Sequence, residues 1–232
     1  LILTYGLRKP IVRIGRIAGQ YAKPRTQEYE EINGKKIYSF RGDNVNAIEP
    51  IVALRKPDPT RLLQGYYCSA MTLNFIRALI NGGFADMHNP EQWNLTFFAN
   101  NRLSEKYADI IGHMKDAISF VSSIGATNEY FLKSVHFFTS HEGLILPYEE
   151  ALTRKVPNRE HYYDLSAHML CIGDRTKDVD HAHIEFFRGV ANPLGLKVGP
   201  DTDPEGIVAI VRRLNPQNEL GKVVLITRLG QD

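Results

Sequence analysis

Several features that define large protein classes are scarce in this sequence. It has only 2 cysteines among 232 residues and no CxxC pair, which argues against a disulfide framework and favours a reducing compartment. Its apolar runs fall well short of the roughly 20 residues that a membrane-spanning helix needs. The net charge of +2 is too small to indicate a nucleic-acid-binding protein. Any function that depends on positive charge must therefore come from local clusters.

The composition itself is that of a globular protein. Hydrophobic residues make up 43% of the chain and charged residues 23%, enough for one domain with a sizeable core or two small ones. The two ends are not typical of a domain boundary, because LILTYG opens without a helix cap and KVVLITRLGQD ends just after a strand. We therefore expect the sequence to be a fragment of a longer protein.

Five short apolar runs predict buried strands, since most are continuous rather than alternating. They span residues 10–18, 134–140, 162–172, 194–198 and 223–227. Helical patterns separate them, and the later half alternates strand and helix with short connections. This alternation is typical of an α/β fold with a parallel sheet. By itself it fits either an open doubly wound sheet or part of a barrel.

Helix-start signals support this reading. They occur at Asp58-Pro59, Asn89-Pro90, Ser104, Thr176 and Asp203-Pro204. We expect the first helix to stop at Gly82-Gly83 and the second to contain Trp93 and Phe97. Residues 48–133, between the first two predicted strands, are mostly helical in pattern. We interpret this segment as an insertion that decorates the sheet.

Positive charge falls at the ends of four predicted strands, at Arg16, Arg175, Lys197 and Arg228. The carboxyl ends of parallel strands gather on one side of an α/β fold, where ligands bind. By the period of two, Arg16 shares a face with Val12 and Ile14, so we expect it on the core side. Together the cations predict a site for phosphate or carboxylate. The alternative for each residue is a side chain that simply extends into solvent.

Three other patterns in the sequence contain residues that are typical of functional sites. His181 and His183 lie within DVDHAHIE, but on a helix they would point about 200° apart and could not share a metal ion. His141 and Glu142 end a predicted strand, so we expect them near the site, although the HExxH spacing is absent. Gly15 and Gly19 lack the spacing of a phosphate-binding loop and are expected to allow close packing instead.

Six segments together resemble the class II 3-deoxy-D-arabino-heptulosonate 7-phosphate (DAHP) synthases. In chain order they are GRIAGQYAKPR, FRGDNVN, TSHEGLILPYE, DLSAHMLCIGDRTKDVD, ANPLGLKVGP and ITRLG. The resemblance implies a (β/α)8 TIM barrel, of which residues 1–232 would form a part of the catalytic domain. The visible strands would be about strands 2 to 6, with the helical insertion 48–133 after the first of them.

The resemblance also implies an activity. Class II DAHP synthases condense phosphoenolpyruvate with erythrose 4-phosphate and release phosphate, in the first step of the shikimate pathway of aromatic amino acid biosynthesis. The residues implied to bind phosphoenolpyruvate are Arg16, Asp174, Arg175, Lys197 and Arg228. Those implied to bind the phosphate of erythrose 4-phosphate are Lys23, Pro24, Arg25 and Thr26. Lys23 and Lys197 are the implied catalytic residues, and Lys23 would donate a proton to the aldehyde oxygen.

This sequence departs from the family pattern in places. The family often has Glu at the position of Asp174 and Trp at the position of Cys171. Its divalent metal (manganese, cobalt or similar) polarises the aldehyde as a Lewis acid. The metal ligands lie in a GGDC-like motif and in later His, Glu and Asp motifs, none of which occurs here. We therefore expect no metal ligands in this chain, and no synthase activity from this fragment alone.

The remaining expectations follow from the same resemblance. The full-length enzyme would act on small molecules as a homo-oligomer, without a nucleic-acid or membrane partner. It would lie in the cytoplasm of a bacterium, or in the plastid of a plant. The alternatives are an amino-DAHP synthase of a natural-product pathway, a non-catalytic anion-binding or regulatory module derived from the family, and an unrelated sugar-phosphate enzyme on a similar sheet.

Overall fold

A five-stranded parallel sheet organises the part of the chain that carries the predicted site. The structure, a computed structural model, describes residues 9, 11–17, 21–86, 88, 104–125 and 135–230. The chain divides into two compact units, Leu1–Ser69 with Phe137–Asp232 and Ala70–His136. The predicted helix with Trp93 and Phe97 lies outside the described residues, as do the opening LILTYG and Gly19.

Nine strands and five α-helices form the described secondary structure. The strands are β1 (Arg13–Arg16), β2 (Tyr29–Ile32), β3 (Lys35–Tyr38), β4 (Phe137–Glu142), β5 (Thr153–Lys155), β6 (Tyr162–Asp164), β7 (Met169–Ile172), β8 (Leu194–Val198) and β9 (Val223–Thr227). The helices are α1 (Pro59–Asn81), α2 (Ser104–Ser123), α3 (Leu146–Leu152), α4 (Ala182–Arg188) and α5 (Pro204–Leu214), with a 3-10 turn at Asp174–Thr176. No described helix combines the length and the apolar character needed to cross a membrane.

The main sheet has the order β1-β4-β7-β8-β9, and every neighbouring pair is parallel. The strands therefore add in chain order, with helices in the later connections, as a βα architecture requires. Two antiparallel hairpins, β2-β3 and β5-β6, stand outside this sheet. The fold is a parallel α/β sheet of the kind found in an incomplete α/β barrel.

The hydrophobic core lies between one face of the sheet and helices α4 and α5. It includes Leu170 and Leu196 from the strands and Ile184, Phe187 and Ile210 from the helices. Phe187 is fully buried and packs beside Gly143, where an added Cβ would come within 2.2 Å of the phenylalanine ring. Burial of these side chains supplies the main driving force for folding of this unit.

Helix α5 begins where the sequence indicates. The side chain of Asp203 accepts hydrogen bonds from the backbone N–H groups of Glu205 and Gly206, at 3.2 and 2.8 Å, and Pro204 occupies the first helical position. These are standard stabilising features of a helix start. The predicted strands 194–198 and 223–227 are likewise confirmed as β8 and β9. The starts of α1 and α2 at Pro59 and Ser104 are also confirmed.

The predicted single strand 162–172 is wrong. The chain forms β6, turns at Leu165 and Ser166, and then forms β7. The Ser166 N–H donates to Asp164 Oδ1 at 2.9 Å, and the Asn192 amide donates to the carbonyl of Asp164 at 2.8 Å and to that of Ala167 at 3.1 Å. A turn stabilised by a residue 28 positions away is invisible to local periodicity.

The prediction that Thr176 caps a helix is also wrong. Thr176 ends the 3-10 turn, where its N–H donates to the Gly173 carbonyl at 3.1 Å. Helix α4 starts only at Ala182, with His181 at the N-cap position. The intervening residues form a turn in which the His181 N–H donates to the Asp178 carbonyl at 3.1 Å.

Burial was predicted for all five strands of the sheet, and this is wrong for β1 and β9. Ile14 in β1 is 39% exposed and Leu225 in β9 is 48% exposed. Within the part of the chain that the structure describes, both strands are edges of the sheet and pair on one side only. The proposed insertion at 48–133 stays a prediction, although α1 and α2 both fall within that range.

A buried polar cluster joins β4, α3 and the turn after β6. His141 and Glu149 form a side-chain hydrogen bond of 2.8 Å, and Ser166 Oγ donates to the other oxygen of Glu149 at 2.7 Å. Burial, followed by the nearby charge of Glu149, raises the pKa of Asp164 from its ordinary value of 3.8 to about 7. The carboxyl of Asp164 is therefore held more easily in its protonated form.

We predict that this group makes stability fall as the pH rises from about 4 to about 7. The folded protein binds the Asp164 proton more tightly than the unfolded chain does. The resulting stabilisation is complete at low pH and is lost as the pH rises to the pKa of the folded state. Asp164→Asn should reduce this loss by on the order of 2–4 kcal/mol, because the amide oxygen can still accept from Ser166. Urea unfolding at several pH values measures the effect. Asp201→Asn, at an exposed aspartate, is the control, and equal pH profiles for both variants would contradict the prediction.

Candidate active site

The candidate site lies on the face of the sheet opposite the hydrophobic core. Paired residues on adjacent strands point to the same face, and side chains alternate along each strand. Arg16 is paired with Ser140, and Glu142 with Cys171. Cys171 is in turn paired with Gly195, two residues before Lys197. The alternation therefore brings Arg16, Glu142 and Lys197 to one face.

Cys171 lies at the centre of this group. Burial raises the pKa of its thiol, while the positive charges of Arg16 and Lys197 oppose the rise. Both cations therefore lie close enough to act electrostatically on the same sulfur atom. Cβ added to Gly195 would come within 3.1 Å of that sulfur, so the floor of the site is tightly packed. A buried thiol with a raised pKa is a poor nucleophile, so Cys171 serves as part of this floor.

An ion pair crosses the site between Lys197 Nζ and Glu142 Oε2. The side chains are 29% and 9% exposed, so the pair is largely shielded from solvent. The Glu142 carboxylate also lies against Gly173, where an added Cβ would come within 2.2 Å of Oε1. Glu142 thus neutralises Lys197 without covering the other cations.

The prediction that His141 and Glu142 lie near the site is correct for one of the two residues. Glu142 lies on the site face, as expected, but His141 lies on the opposite face, fully buried and bonded to Glu149. The specific role of Glu142 as the partner of Lys197 was not predicted. Two observations place Glu142 on the site face, namely the alternation of side chains along β4 and the pairing of Glu142 with Cys171. The alternation can be read from the sequence, but the pairing cannot.

Arg16 is at the predicted strand end but on a different face from the one expected. The core side chains of β7 and β8, such as Leu170 and Leu196, belong to the opposite face, and Arg16 is exposed. The prediction of a core-side Arg16 is therefore wrong. Arg16 is the last residue of β1, and none of the described strands pairs with the outer side of β1.

Arg228 follows β9 directly, and its N–H donates to the Val198 carbonyl at 2.9 Å. This bond ties Arg228 to the end of the strand that carries Lys197. Asp174 and Arg175 lie in the 3-10 turn after β7. The carboxylate of Asp174 forms an ion pair with Lys177. The ends of three adjacent strands therefore deliver cations to the same edge of the sheet.

The second predicted group, Lys23 to Thr26, lies on a loop held by backbone bonds. The Lys23 N–H donates to the Arg41 carbonyl at 2.7 Å, and Arg25 Nε donates to the Phe40 carbonyl at 2.7 Å. Gly42, with φ of +101°, lies so close to the Tyr21 carbonyl that a Cβ would meet its oxygen at 1.9 Å. Only glycine suits this combination of a positive φ and a close backbone approach.

A single hydrogen bond joins the two groups. Arg175 Nη1 donates to the Pro24 carbonyl at 3.2 Å. The turn after β7 and the Lys23–Thr26 loop are 151 positions apart in sequence, yet they meet at the edge of the sheet. Among the described residues, Arg16, Lys23, Arg25, Arg175 and Arg228 are all exposed and none forms an ion pair with an acidic side chain. Together they form a surface suited to anions.

The metal-ligating residue types are dispersed. Within the ranges that the structure describes, no three His, Cys, Asp or Glu side chains are placed to hold a metal ion. His181 precedes helix α4 and is exposed, while His183 Nε2 lies 3.0 Å from the Leu144 carbonyl. What the described site can do chemically is bind anionic groups and hold or transfer protons through its lysines and Glu142.

We predict that Gly173→Ala disrupts the Lys197–Glu142 ion pair. The new methyl group would displace the Glu142 carboxylate, and leaving buried charge without its partner should lower the free energy of unfolding by roughly 1–3 kcal/mol. Gly199→Ala is the matched control, because its Cβ would meet its nearest neighbour at 3.9 Å. The loss should largely vanish in a Glu142→Ala background, measured by chemical denaturation as a double-mutant cycle. An equal loss of stability in the Glu142→Ala background would contradict the prediction, because the new methyl group would then clash with a group other than Glu142.

Comparison with known proteins agrees with the resemblance carried by the motifs. The model of the class-II DAHP synthetase family matches residues 1–232. A phospho-2-dehydro-3-deoxyheptonate aldolase from Neurospora crassa is 47% identical over 246 residues, covering 100% of this chain and 51% of the relative. Relatives of the same name from Streptomyces coelicolor and Mycolicibacterium smegmatis are 42% and 39% identical, with 100% of this chain and 51% and 50% of those proteins covered.

The chain therefore spans about half the length of the curated relatives it matches. The family match extends over the whole chain, including the strand ends and the loop that carry the cations. On this match, the chain belongs to the class-II DAHP synthetase family.

Proposed function

We propose that the full-length protein containing this chain is a 3-deoxy-7-phosphoheptulonate synthase. It condenses phosphoenolpyruvate with erythrose 4-phosphate, releases inorganic phosphate, and so begins the shikimate pathway of aromatic amino acid biosynthesis. The observation that carries the proposal is the meeting of two cationic groups through the bond from Arg175 to the Pro24 carbonyl. Family membership and the names of the relatives support the same activity.

The arrangement of charge matches the two substrates. Phosphoenolpyruvate carries a phosphate and a carboxylate, while the aldose carries one phosphate, so the site must hold several anionic groups close together. We assign phosphoenolpyruvate to the cations at the strand ends, namely Arg16, Arg175, Lys197 and Arg228, with Asp174 contributing partly through its backbone. We assign the phosphate of erythrose 4-phosphate to the loop residues Lys23, Pro24, Arg25 and Thr26.

The catalytic assignments follow from the bonds that change. The CH2 carbon of phosphoenolpyruvate bonds to the aldehyde carbon, and the aldehyde oxygen gains a proton as it becomes a hydroxyl. One water molecule is consumed as the bond to phosphate breaks, so inorganic phosphate leaves and C2 of phosphoenolpyruvate becomes a ketone. Lys23, on the loop that receives the aldose, is our candidate for donating that proton. Lys197 is the candidate that contacts phosphoenolpyruvate on the site face, with its charge balanced by Glu142.

The barrel is part of the proposal. We infer that β1, β4, β7, β8 and β9 are about strands 2 to 6 of a (β/α)8 barrel, with residues 48–133 as an insertion in its catalytic domain. Parallel order throughout the sheet and a core on one face support this inference. Apolar side chains on the other face support it too, since Phe138 is 36% and Val224 is 43% exposed. The barrel interior is normally filled by such side chains.

The divalent metal implied by the family does not fit the described residues, which provide no suitable cluster. We therefore propose that the metal ligands belong to the full-length protein outside this chain. We likewise propose a homo-oligomer, located in the bacterial cytoplasm or in a plant plastid, as the working form of the enzyme.

The experiment that tests the function is a turnover assay of the full-length protein. Purified protein, with manganese supplied, should consume phosphoenolpyruvate and erythrose 4-phosphate while releasing inorganic phosphate. Binding of phosphoenolpyruvate without product would contradict the proposal and favour a non-catalytic module. Product formed only with an amino analogue of the aldose would instead favour an amino-DAHP synthase.

We predict that substitutions in the two cationic groups separate the two substrates kinetically. Arg228→Ala should raise the KM for phosphoenolpyruvate, and Arg25→Ala should raise the KM for erythrose 4-phosphate. Each increase should be roughly ten- to a hundredfold, the size expected for one charge-assisted hydrogen bond. Steady-state kinetics with each substrate varied in turn gives the result. Arg212→Ala, at an exposed arginine in the last turn of α5, is the control. Parallel increases in both KM values for both variants would refute the assignment of separate sites.

A further inference from the structure

The turn that carries Asp174 and Arg175 has little structure of its own. It is a 3-10 helix of 3 residues with no side-chain cap, and both Asp174 and Arg175 are exposed. Its internal bonds are those from the Thr176 N–H and hydroxyl to the Gly173 carbonyl, at 3.1 and 3.3 Å. So short a helix is weakly stabilised by its own hydrogen bonds. The position of Arg175 therefore depends on contacts from outside the turn.

Packing does not supply all of these contacts. A cavity of about 590 Å³ lies beside the turn, and its lining includes Asp174, Arg175, Lys177, Gly199 and Thr202. Its volume is open space next to the residues that would grip the substrate. Because this space leaves part of the turn without packed neighbours, polar bonds contribute to holding the turn in place.

Lys177 makes two of these bonds, in addition to the bond from Arg175 to the Pro24 carbonyl. Its Nζ forms an ion pair with the carboxylate of Asp174 and donates to Thr202 Oγ1 at 2.7 Å. Thr202 Oγ1 also accepts from the Gly199 N–H at 3.0 Å, and Gly199 directly follows β8, the strand of Lys197. The Lys177 side chain is only 16% exposed, against 61% for Asp174. One ammonium group thus links the turn after β7 to the end of β8.

The same ammonium group has an electrostatic effect. Asp174 is the neighbour of Arg175, and an unpaired carboxylate at this point would repel an anionic ligand bound to Arg175. Pairing with Lys177 offsets that negative charge. Arg175 itself is left without an acidic partner among the described side chains. Its guanidinium donates one hydrogen bond to the Pro24 carbonyl, and its remaining N–H groups can bind the ligand.

We propose that Lys177 is a positioning residue for phosphoenolpyruvate, acting through Asp174 and Thr202 rather than by touching the substrate. It holds the Asp174–Arg175 turn against the end of β8 and neutralises the carboxylate beside the anion site. This inference rests on the proposed function, because it concerns the binding of that substrate. A purely structural lysine would instead affect stability and both substrates alike.

The test uses the full-length protein and titrates phosphoenolpyruvate by calorimetry, with steady-state kinetics and thermal unfolding in parallel. Lys177→Met removes the charge and both bonds at similar length. It should weaken phosphoenolpyruvate binding roughly five- to tenfold, as expected for one lost charge pair and one hydrogen bond. The KM for erythrose 4-phosphate and the value of kcat should change less than twofold. Lys177→Arg, which keeps the charge and the donors, should restore binding to within about twofold.

Two further variants separate the two effects. Thr202→Val removes the anchoring hydroxyl at nearly constant shape and should weaken binding, whereas Thr202→Ser should not. Asp174→Asn introduced into Lys177→Met should recover part of the lost affinity, because the uncompensated carboxylate is then gone. Lys177→Met with unchanged affinity, or a double variant with no recovery, would overturn the proposal. Unsubstituted protein without turnover would overturn only the proposed function, since the titrations still decide the role of Lys177. Unsubstituted protein that fails to bind phosphoenolpyruvate would overturn both.

Discussion

The parallel pairing of β1, β4, β7, β8 and β9 is the constraint on which the rest of the structure depends. Because side chains alternate along every strand and pair in register across the sheet, each strand sends one set to the core and the other to the opposite face. Leu170, Leu194 and Leu196 join the core with α4 and α5. A shift of one residue in the register of β8 would turn Lys197 toward the core and Leu196 toward the site, which would disrupt both.

The charges on the open face are balanced selectively. Two lysines have acidic partners, Lys197 with Glu142 and Lys177 with Asp174. The arginines at the strand ends make no such pair within the described residues. Since the guanidinium group binds phosphate and carboxylate in a fixed geometry, free arginines are the groups best suited to bind the substrates. The paired lysines reduce the net repulsion that an uncompensated cluster would create.

Local sequence signals succeeded where one residue decides the structure by itself. Asp203 caps α5 and Gly82 ends α1 through short-range hydrogen bonds, so their effects are readable from neighbouring residues. The same signals failed where a distant residue decides. Asn192 stabilises the turn that divides 162–172 from 28 and 25 positions away. Long-range hydrogen bonds of this kind override local propensity.

The sequence by itself determined the class of the fold, the family and the residue types of the anion site. These features are local properties of the sequence: the periodicity of strands and helices, the cations at strand ends, and the motifs around Lys23 and Arg175. They can be recognised without knowing any tertiary contact. Only the tertiary structure decided that Arg16 lies away from the core, that His141 rather than Glu142 faces the core, and that Glu142 pairs with Lys197. These outcomes depend on sheet register and on contacts between residues tens of positions apart, which no local pattern records.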